Sequence, residues 1–164
     1  MHTNHRLFLG TGTNLGDRKN NLNQALQFIK EYIGDVNTQS NIYQSKAWGK
    51  TDQPDFFNQV LEVFTNQEPQ QVLENCLSIE QQMGRVRIEK WGTRIIDIDV
   101  LFYNDLVLNH PNLIIPHPFL QDRSFVLKPM AEIAPEFVHP VLRETIKNLL
   151  EKIEVENDCK KIRF

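Results

Sequence analysis

Hydrophobic and polar residues alternate along several short stretches of the chain, a pattern that predicts β-strands. Within 58–66, Val60 and Glu62 share one face and apolar residues occupy the other, which is typical of a central strand. In 95–103, alternation and a high content of β-branched residues both favour a strand. The predicted strands span residues 6–12, 37–45, 58–66 and 95–103.

Apolar residues spaced three and four apart predict two helices between these strands. Asp17 is the expected N-cap of the first helix, and Gly34 its stop. Pro69 is expected to open the second helix and Gly84 to end it. The first buried stripe comprises Leu22, Ala25, Leu26, Ile29 and Ile33. The second comprises Val72, Leu73, Cys76, Leu77 and Met83.

The remainder of the chain predicts less regular structure. A small hairpin is expected over 106–115, and prolines with short helical turns over 116–135. The lysine-rich tail is expected to be frayed. A last helix is indicated by the apolar stripe Leu142, Ile146, Leu149, Leu150 and Ile153.

The order of predicted elements is β-α-β-β-α-β, which is that of a ferredoxin-like α+β sandwich. Its antiparallel sheet would carry the helices on one face. No internal repeat, low-complexity tract or linker interrupts the chain, so residues 1–164 are expected to form a single domain. Many unrelated activities share this scaffold, and the function must therefore be argued from particular residues.

The composition is that of an ordinary soluble protein, with 40% hydrophobic and 24% charged residues. A net charge of −3 argues against a surface for nucleic acid or anionic membranes, so an anion site would need local clustering of cations. Cys76 and Cys159 lack metal-ligand spacing, which favours a reduced cytoplasmic setting. No apolar stretch approaches the length of a membrane span.

Two acids on one strand are the first candidates for chemistry. Asp97 and Asp99 should point the same way, about 6.6 Å apart, where they would repel by about 2.5 kcal/mol at an effective dielectric of 20. A bound Mg²⁺ would reverse that repulsion and recruit phosphate. Such a pair alone more often marks a strand with one solvated face.

A cluster of cations precedes these acids. Arg85, Arg87, Lys90 and Arg94 fall within a stretch that has no apolar period. Such a run of charge is usually a solvated loop. Beside an acidic strand, however, it also suits the binding of polyphosphate, because guanidinium groups bind phosphate oxygens while a metal bridges them. His117 and Arg123 add two further donors.

Aromatic residues in predicted loops supply a third element. Phe56, Trp91 and Phe125 lie outside the helical stripes and could hold a planar heterocycle, although most loop aromatics only cover a core. Asn58 could read the edge of such a ring, because its amide both donates and accepts.

The glycine-rich stretch GTGTNLGD, residues 10–17, invites a dinucleotide-loop interpretation. Its glycines at 10, 12 and 16 give one residue too many for GxGxxG, and the chain has no complete Walker-type GxxxxGK[ST] motif, because Gln44 stands at the first glycine position before Gly49-Lys50-Thr51. The stretch is therefore expected to be a glycine turn that leads into a capped helix.

Long motifs follow one another between about Leu7 and Pro135. They read GTNLGDR, DQPDFFNQV, GRVRIEKWGTRIIDIDVLFY, IPHP and DRSFVLKPMAEIAP. In this order they resemble the signature of the 6-hydroxymethyl-7,8-dihydropterin pyrophosphokinase family of folate biosynthesis. The resemblance implies transfer of pyrophosphate from ATP to the hydroxymethyl group of the pterin, with release of AMP.

The same resemblance implies a role for each matching residue. Asp97 and Asp99 would hold two Mg²⁺ ions that bridge the triphosphate. The implied catalytic residues are Arg85, Arg87, Arg94, Asp97 and Asp99. The implied ATP-binding residues are Glu80, Arg87, Trp91, Arg94, Val100, His117 and Arg123. The implied pterin-binding residues are Ser45, Trp48, Phe56, Asn58, Asp97 and Phe125, of which Phe56 and Phe125 would sandwich the ring.

Some positions depart from the family pattern. Thr93 stands where WGPR has proline, which would leave the closing loop less rigid, and SKAWG at 45–49 replaces TxPxG, including Ala47. Phe56 stands where relatives also have tyrosine, and Leu77 where a relative can carry glutamine, which would remove one adenine contact.

Two other functions are compatible with parts of the pattern. An RNA-recognition domain shares the fold but presents aromatics and a basic face, whereas this strand carries acids. A two-metal phosphoesterase would share the acids but would not need a planar-ring pocket. The expected partners are the small molecules ATP and hydroxymethyl dihydropterin, with no nucleic acid and no membrane, and the chain is expected to be a monomer or a weak dimer.

Overall fold

A computed structural model describes residues 4–46, 53–84, 95–153 and 159–162. The strands are β1 (His5–Thr13), β2 (Asp35–Gln39), β3 (Tyr43–Ser45), β4 (Phe56–Thr65), β5 (Asp97–Tyr103), β6 (Leu108–His110), β7 (Leu113–Ile115) and β8 (Cys159–Lys161). The helices are α1 (Arg18–Tyr32), α2 (Pro69–Gln82), α3 (Ser124–Ile133) and α4 (Ile146–Lys152).

The main sheet is antiparallel, with the strand order β5-β1-β4-β3-β8. β2 also pairs with β4, beyond the stretch that β3 occupies, so the single strand predicted over 37–45 is in fact two. Ser40 lies at the break, where its N–H donates to the Val60 carbonyl at 2.9 Å. β6 and β7 form the predicted hairpin.

Local sequence signals fix the starts of both long helices. The Asp17 side chain accepts a hydrogen bond from the Asn20 N–H at 3.1 Å and caps α1, as predicted. Pro69 is the first residue of α2, where its missing N–H has no consequence. In α2, Leu77 is 51% exposed, contrary to the prediction, because the buried face runs through Val72, Cys76, Ile79 and Glu80.

Helices cover both faces of the sheet, and the expectation of one covered face is wrong. α1 and α2 pack on one face around Leu7, Leu9 and Val63. α3 and α4 pack on the other face around Phe8 and Phe102. Apolar side chains cover only part of that second face. Beyond the covered part, the ends of the strands carry polar groups.

The segment after β7 is more ordered than predicted. α3 is a ten-residue helix despite Pro129 in its interior, because Val126, Leu127 and Met130 bury a continuous stripe on the sheet. The tail is not frayed at 159–161, where β8 pairs with β3. α4 begins only after Thr145, which caps it. In the described ranges, no helix has the length and apolar character needed to span a bilayer.

Candidate active site

The two predicted acids lie on the face of the sheet that α3 and α4 partly cover. Asp97 pairs with Gly12 and Asp99 with Gly10, while Ile98 between them points into the core on the other face. Asp99 is exposed and Asp97 is half-buried. Both carboxylates are therefore presented together at one end of β5.

Gly12 separates Asp97 from Asn58, since it pairs with both across neighbouring strands. Neighbouring strands lie about 4.8 Å apart, so the Cα atoms of Asp97 and Asn58 flank a strip about 10 Å wide. A Cβ on Gly12 would lie 3.2 Å from the Asn58 Oδ1 and 3.9 Å from a Phe56 ring carbon. The absence of a side chain at residue 12 thus leaves a recess in the sheet surface.

The prediction that residues 10–17 form a glycine turn is wrong for its first half. Gly10 and Gly12 lie within β1, and the turn is confined to the residues before α1, where Gly16 has a φ of +72°. The strand predicted over 6–12 already includes Gly10 and Gly12, so the two sequence predictions overlap there, and the structure confirms the strand. Sequence reasoning assigned Gly12 no place in the site, because only the pairing register places it between Asp97 and Asn58.

Asn58 and Ser45 form the far side of the recess. The Asn58 Nδ2 donates to the Ser45 Oγ at 2.8 Å and to the Tyr43 carbonyl at 3.4 Å, and both side chains are buried. These contacts orient the Asn58 amide so that its oxygen lies over Gly12. A fixed donor and acceptor edge of this kind suits recognition of a heterocycle.

Phe56 opens β4 directly opposite Ser45, and residues of the GTNLGDR motif hold the loop before it. The Arg18 Nη1 donates to the Asp55 carbonyl at 2.7 Å, and its guanidinium lies 4.0 Å from the centre of the Phe57 ring. The Asn14 Nδ2 donates to the Pro54 carbonyl at 3.2 Å. The motif thus holds the backbone that leads into Phe56.

The segment before α3 and the first turn of α3 bring together His117, Arg123 and Phe125. The Arg123 guanidinium lies 5.6 Å from the ring centres of both Phe119 and Phe125. Burial, and secondly the nearby Arg123, lower the pKa of His117 to about 4. His117 is therefore neutral near pH 7, and its Nδ1 accepts from the Phe119 N–H at 3.4 Å.

We expect His117 to make the fold sensitive to acid. Because its folded pKa of about 4 lies below the unfolded value of 6.5, the unfolded chain binds more protons, and stability falls as the pH drops from about 6.5 towards 4. Urea unfolding at pH 7 and pH 5 should show a smaller loss for His117→Gln than for the wild type, by on the order of 1 kcal/mol.

The pKa of His139 is also lowered by burial, so His139 also contributes to the loss of stability in acid. Its contribution is common to the wild type and to the His117→Gln variant, so it cancels in the difference. Equal losses of stability in the two proteins between pH 7 and pH 5 would contradict the assignment to His117.

Two of the residues expected to bind the nucleotide lie elsewhere, one at the edge of β5 and one on its other side. The Glu80 carboxylate is buried and accepts from the Ile98 N–H at 2.7 Å, a bond that joins α2 to β5. The Val100 side chain is 6% exposed and packs in the core beneath α1 and α2. Their contacts to a nucleotide remain predictions, and the side chain of Val100 is turned away from the acids.

The remaining predicted site residues are Arg85, Arg87, Trp91, Arg94 and Trp48, and with Ala47 and Thr93 they lie outside the described residues. Among the residues that are described, no group of three or more His, Cys, Asp or Glu side chains could hold a metal. The pair of Asp97 and Asp99 nevertheless suits Mg²⁺, because this ion usually takes one or two carboxylates and completes its shell with water and substrate phosphates.

Comparison with known sequences decides the family. The family model described as 7,8-dihydro-6-hydroxymethylpterin-pyrophosphokinase (HPPK) matches residues 8–135. The chain belongs to this family. The 2-amino-4-hydroxy-6-hydroxymethyldihydropteridine pyrophosphokinase of Aquifex aeolicus is 40% identical over 141 residues, which are 86% of this chain and 88% of that protein. Its counterpart from Methylorubrum extorquens is 41% identical over 150 residues, 91% and 94% of the two chains.

Solved structures agree on the fold. Plasmodium falciparum HPPK-DHPS with pteroate matches this HPPK chain with a TM-score of 0.79 and 17% identity, over 98% of this chain and 48% of that one. The chain therefore spans about half of the solved polypeptide. At this identity the likeness shows the fold, and the predicted α+β ferredoxin-like class is confirmed.

Proposed function

We propose that this chain transfers the pyrophosphoryl group of ATP to the hydroxymethyl group of 6-hydroxymethyl-7,8-dihydropterin, with release of AMP, in tetrahydrofolate biosynthesis. Membership of the HPPK family and the names of the curated relatives support this reaction. The observation that carries the proposal is the arrangement of Asp97 and Asp99 on one side of Gly12, with Ser45 and Asn58 on the other.

The triphosphate end of the site is assigned to the two acids. Asp97 and Asp99 would hold two Mg²⁺ ions, which when bound would neutralise phosphate charge and polarise the phosphoryl oxygens. His117 and Arg123 are assigned to the nucleotide or its phosphates. The neutral state of His117 at pH 7 suits a hydrogen bond, while Arg123 supplies the positive charge.

The pterin end is assigned to the recess over Gly12. A planar ring would lie between the side chains of Phe56 and Phe125, and Asn58 with Ser45 would read its polar edge. In that position the hydroxymethyl group would be directed toward the side of the recess that Asp97 occupies.

The chemistry then depends on alignment and charge more than on a proton acceptor. When a primary alcohol attacks the β-phosphorus, the two reactants must be held in line. Binding that fixes this alignment lowers the activation barrier. Rigid strands carry both halves of the site. The arginines of 84–94 would offset the charge on the transferring group and exclude water, which would otherwise hydrolyse ATP.

Arg87→Ala is expected to lower kcat at least tenfold, since one donor to a developing charge is typically worth roughly 2.7 to 4 kcal/mol. Steady-state measurement of AMP release at saturating substrates checks this. Lys30→Ala, at an exposed position in the last turn of α1, provides the control for loss of a cation. An unchanged kcat in the Arg87 variant would refute its role.

Incubation with Mg-ATP, with and without the hydroxymethyl pterin, tests the reaction itself. Release of AMP that depends on the pterin supports the proposal. Release of inorganic phosphate without the pterin would instead indicate a two-metal hydrolase, and release of neither product would indicate a binding domain.

The domain organisation, the oligomeric state and the location of the protein are proposed as well. The family match and the two cores on one continuous sheet support a single catalytic domain. The chain is proposed to be a monomer or a weak dimer in the cytoplasm. Sedimentation of the purified protein would test the oligomeric state.

A further inference from the structure

Three side chains lie on the same side of α3. Phe125, Lys128 and Glu132 are spaced three and four residues apart, which places them in one row along a helix. Phe125 is the residue assigned to one side of the pterin. Lys128 and Glu132 both reach the strands that form the opposite side of the recess.

Glu132 accepts three hydrogen bonds, two from Asn41 just before β3 and one from Tyr43, the first residue of β3. Its Oε2 accepts from the Asn41 N–H at 2.9 Å and from the Asn41 Nδ2 at 3.0 Å. Its Oε1 accepts from the Tyr43 hydroxyl at 2.7 Å. Burial, and secondly the bond to Glu132, raise the pKa of Tyr43, so that its hydroxyl stays protonated and donates.

These contacts lie close to the residues that face the recess. Tyr43 is the first residue of β3, Ser45 is the last, and the Tyr43 carbonyl also accepts from the Asn58 Nδ2. The Lys128 Nζ donates to the Cys159 carbonyl at 2.6 Å, and Cys159 pairs directly with Ser45. One helix thus holds the near end of β3 directly and its far end through β8.

We propose that Glu132 is a positioning residue for the pterin, which sets the separation between Phe125 on α3 and the Ser45–Asn58 edge. This inference rests on the proposed function, because it assigns the ring to the gap between these groups. A planar ring needs a gap of fixed width, and a carboxylate that accepts three bonds across the gap holds that width. ATP, which is assigned to the acids on the other side of Gly12, should be little affected.

The test compares three variants in the assay of pterin-dependent AMP release. Glu132→Ala removes all three bonds and should raise the KM for pterin about tenfold, with less than a twofold change in the KM for ATP. Glu132→Gln should restore the wild-type KM, because its oxygen can accept from Asn41 while its amide donates to the Tyr43 oxygen. Tyr43→Phe loses one bond and should raise the KM for pterin about threefold.

Glu136→Ala, at an exposed glutamate just beyond α3, is the matched control and should leave both KM values unchanged. A lower melting temperature of Glu132→Ala with an unchanged KM for pterin would overturn the positioning role and leave only a structural one. Equal increases in both KM values would overturn it as well. If Glu132→Ala does not fold, Tyr43→Phe decides by the same comparison.

The outcome for the wild type separates this inference from the proposed function. Pterin-dependent AMP release by the wild type, together with a wild-type KM for pterin in Glu132→Ala and Tyr43→Phe, would overturn the role of Glu132 alone. Absence of that release from the wild type would overturn the proposed function and the role of Glu132 with it.

Discussion

Asp97→Asn is expected to reduce kcat for AMP release by about 10²- to 10³-fold, because it removes one negative charge at the site assigned to Mg²⁺. A unit charge at about 4 Å contributes about 4 kcal/mol at an effective dielectric of 20. The asparagine side chain is close in size and β5 should keep its pairing with Gly12, so the effect should be confined to ligand binding and turnover. Steady-state kinetics measures the loss.

Calorimetry then shows whether the loss comes from the metal. Binding of a nonhydrolysable ATP analogue to the wild type should strengthen when Mg²⁺ is added, and this gain should largely disappear in Asp97→Asn. Asp105→Asn, in the exposed turn that follows β5, is the control and should behave as the wild type. Equal gains from Mg²⁺ in the wild type and in Asp97→Asn would remove Asp97 as a metal ligand.

Gly12→Ala is expected to raise the KM for pterin about tenfold, because a methyl group would enter the recess in which the ring is proposed to lie. The new Cβ would stand 3.2 Å from the Asn58 Oδ1, a contact that forces the amide to move. Since Ser45 and Tyr43 hold that amide from the other side, the movement would disturb the edge that reads the ring.

Gly10→Ala is the matched control for this variant. Gly10 lies two residues earlier on the same face of β1, where the atoms nearest to a new Cβ would be those of the Leu101 side chain, at 3.4 to 3.7 Å. This is ordinary van der Waals contact, so the KM for pterin should stay within about twofold of the wild type. Similar values for the Gly10 and Gly12 variants would contradict the assignment of the recess to the pterin.

The elements that sequence predicts best are those set by local signals. Asp17 and Pro69 define the starts of α1 and α2 because capping depends on a few neighbouring residues. β8 was missed because a three-residue strand gains its stability from pairing with a distant β3. α3 was underestimated because Pro129 and the prolines on either side of the helix suggested breaks, whereas burial on the sheet sustains the helix.

In the candidate site, too, some features follow from local sequence and others depend on the tertiary structure. The shared face of Asp97 and Asp99 follows from the period of a strand, which sequence alone provides. The role of Gly12 depends on register, since only the pairing with Asp97 and Asn58 places it between them. The bonds from Glu132 to Asn41 and Tyr43 join residues about 90 positions apart, a relation that no local pattern encodes.

The most direct test of the account is a crystal structure with Mg²⁺, a nonhydrolysable ATP analogue and the hydroxymethyl pterin. The account predicts the pterin ring over Gly12, with its polar edge at Asn58, and the triphosphate beside Asp97 and Asp99. A pterin bound elsewhere, or a triphosphate remote from both carboxylates, would contradict it.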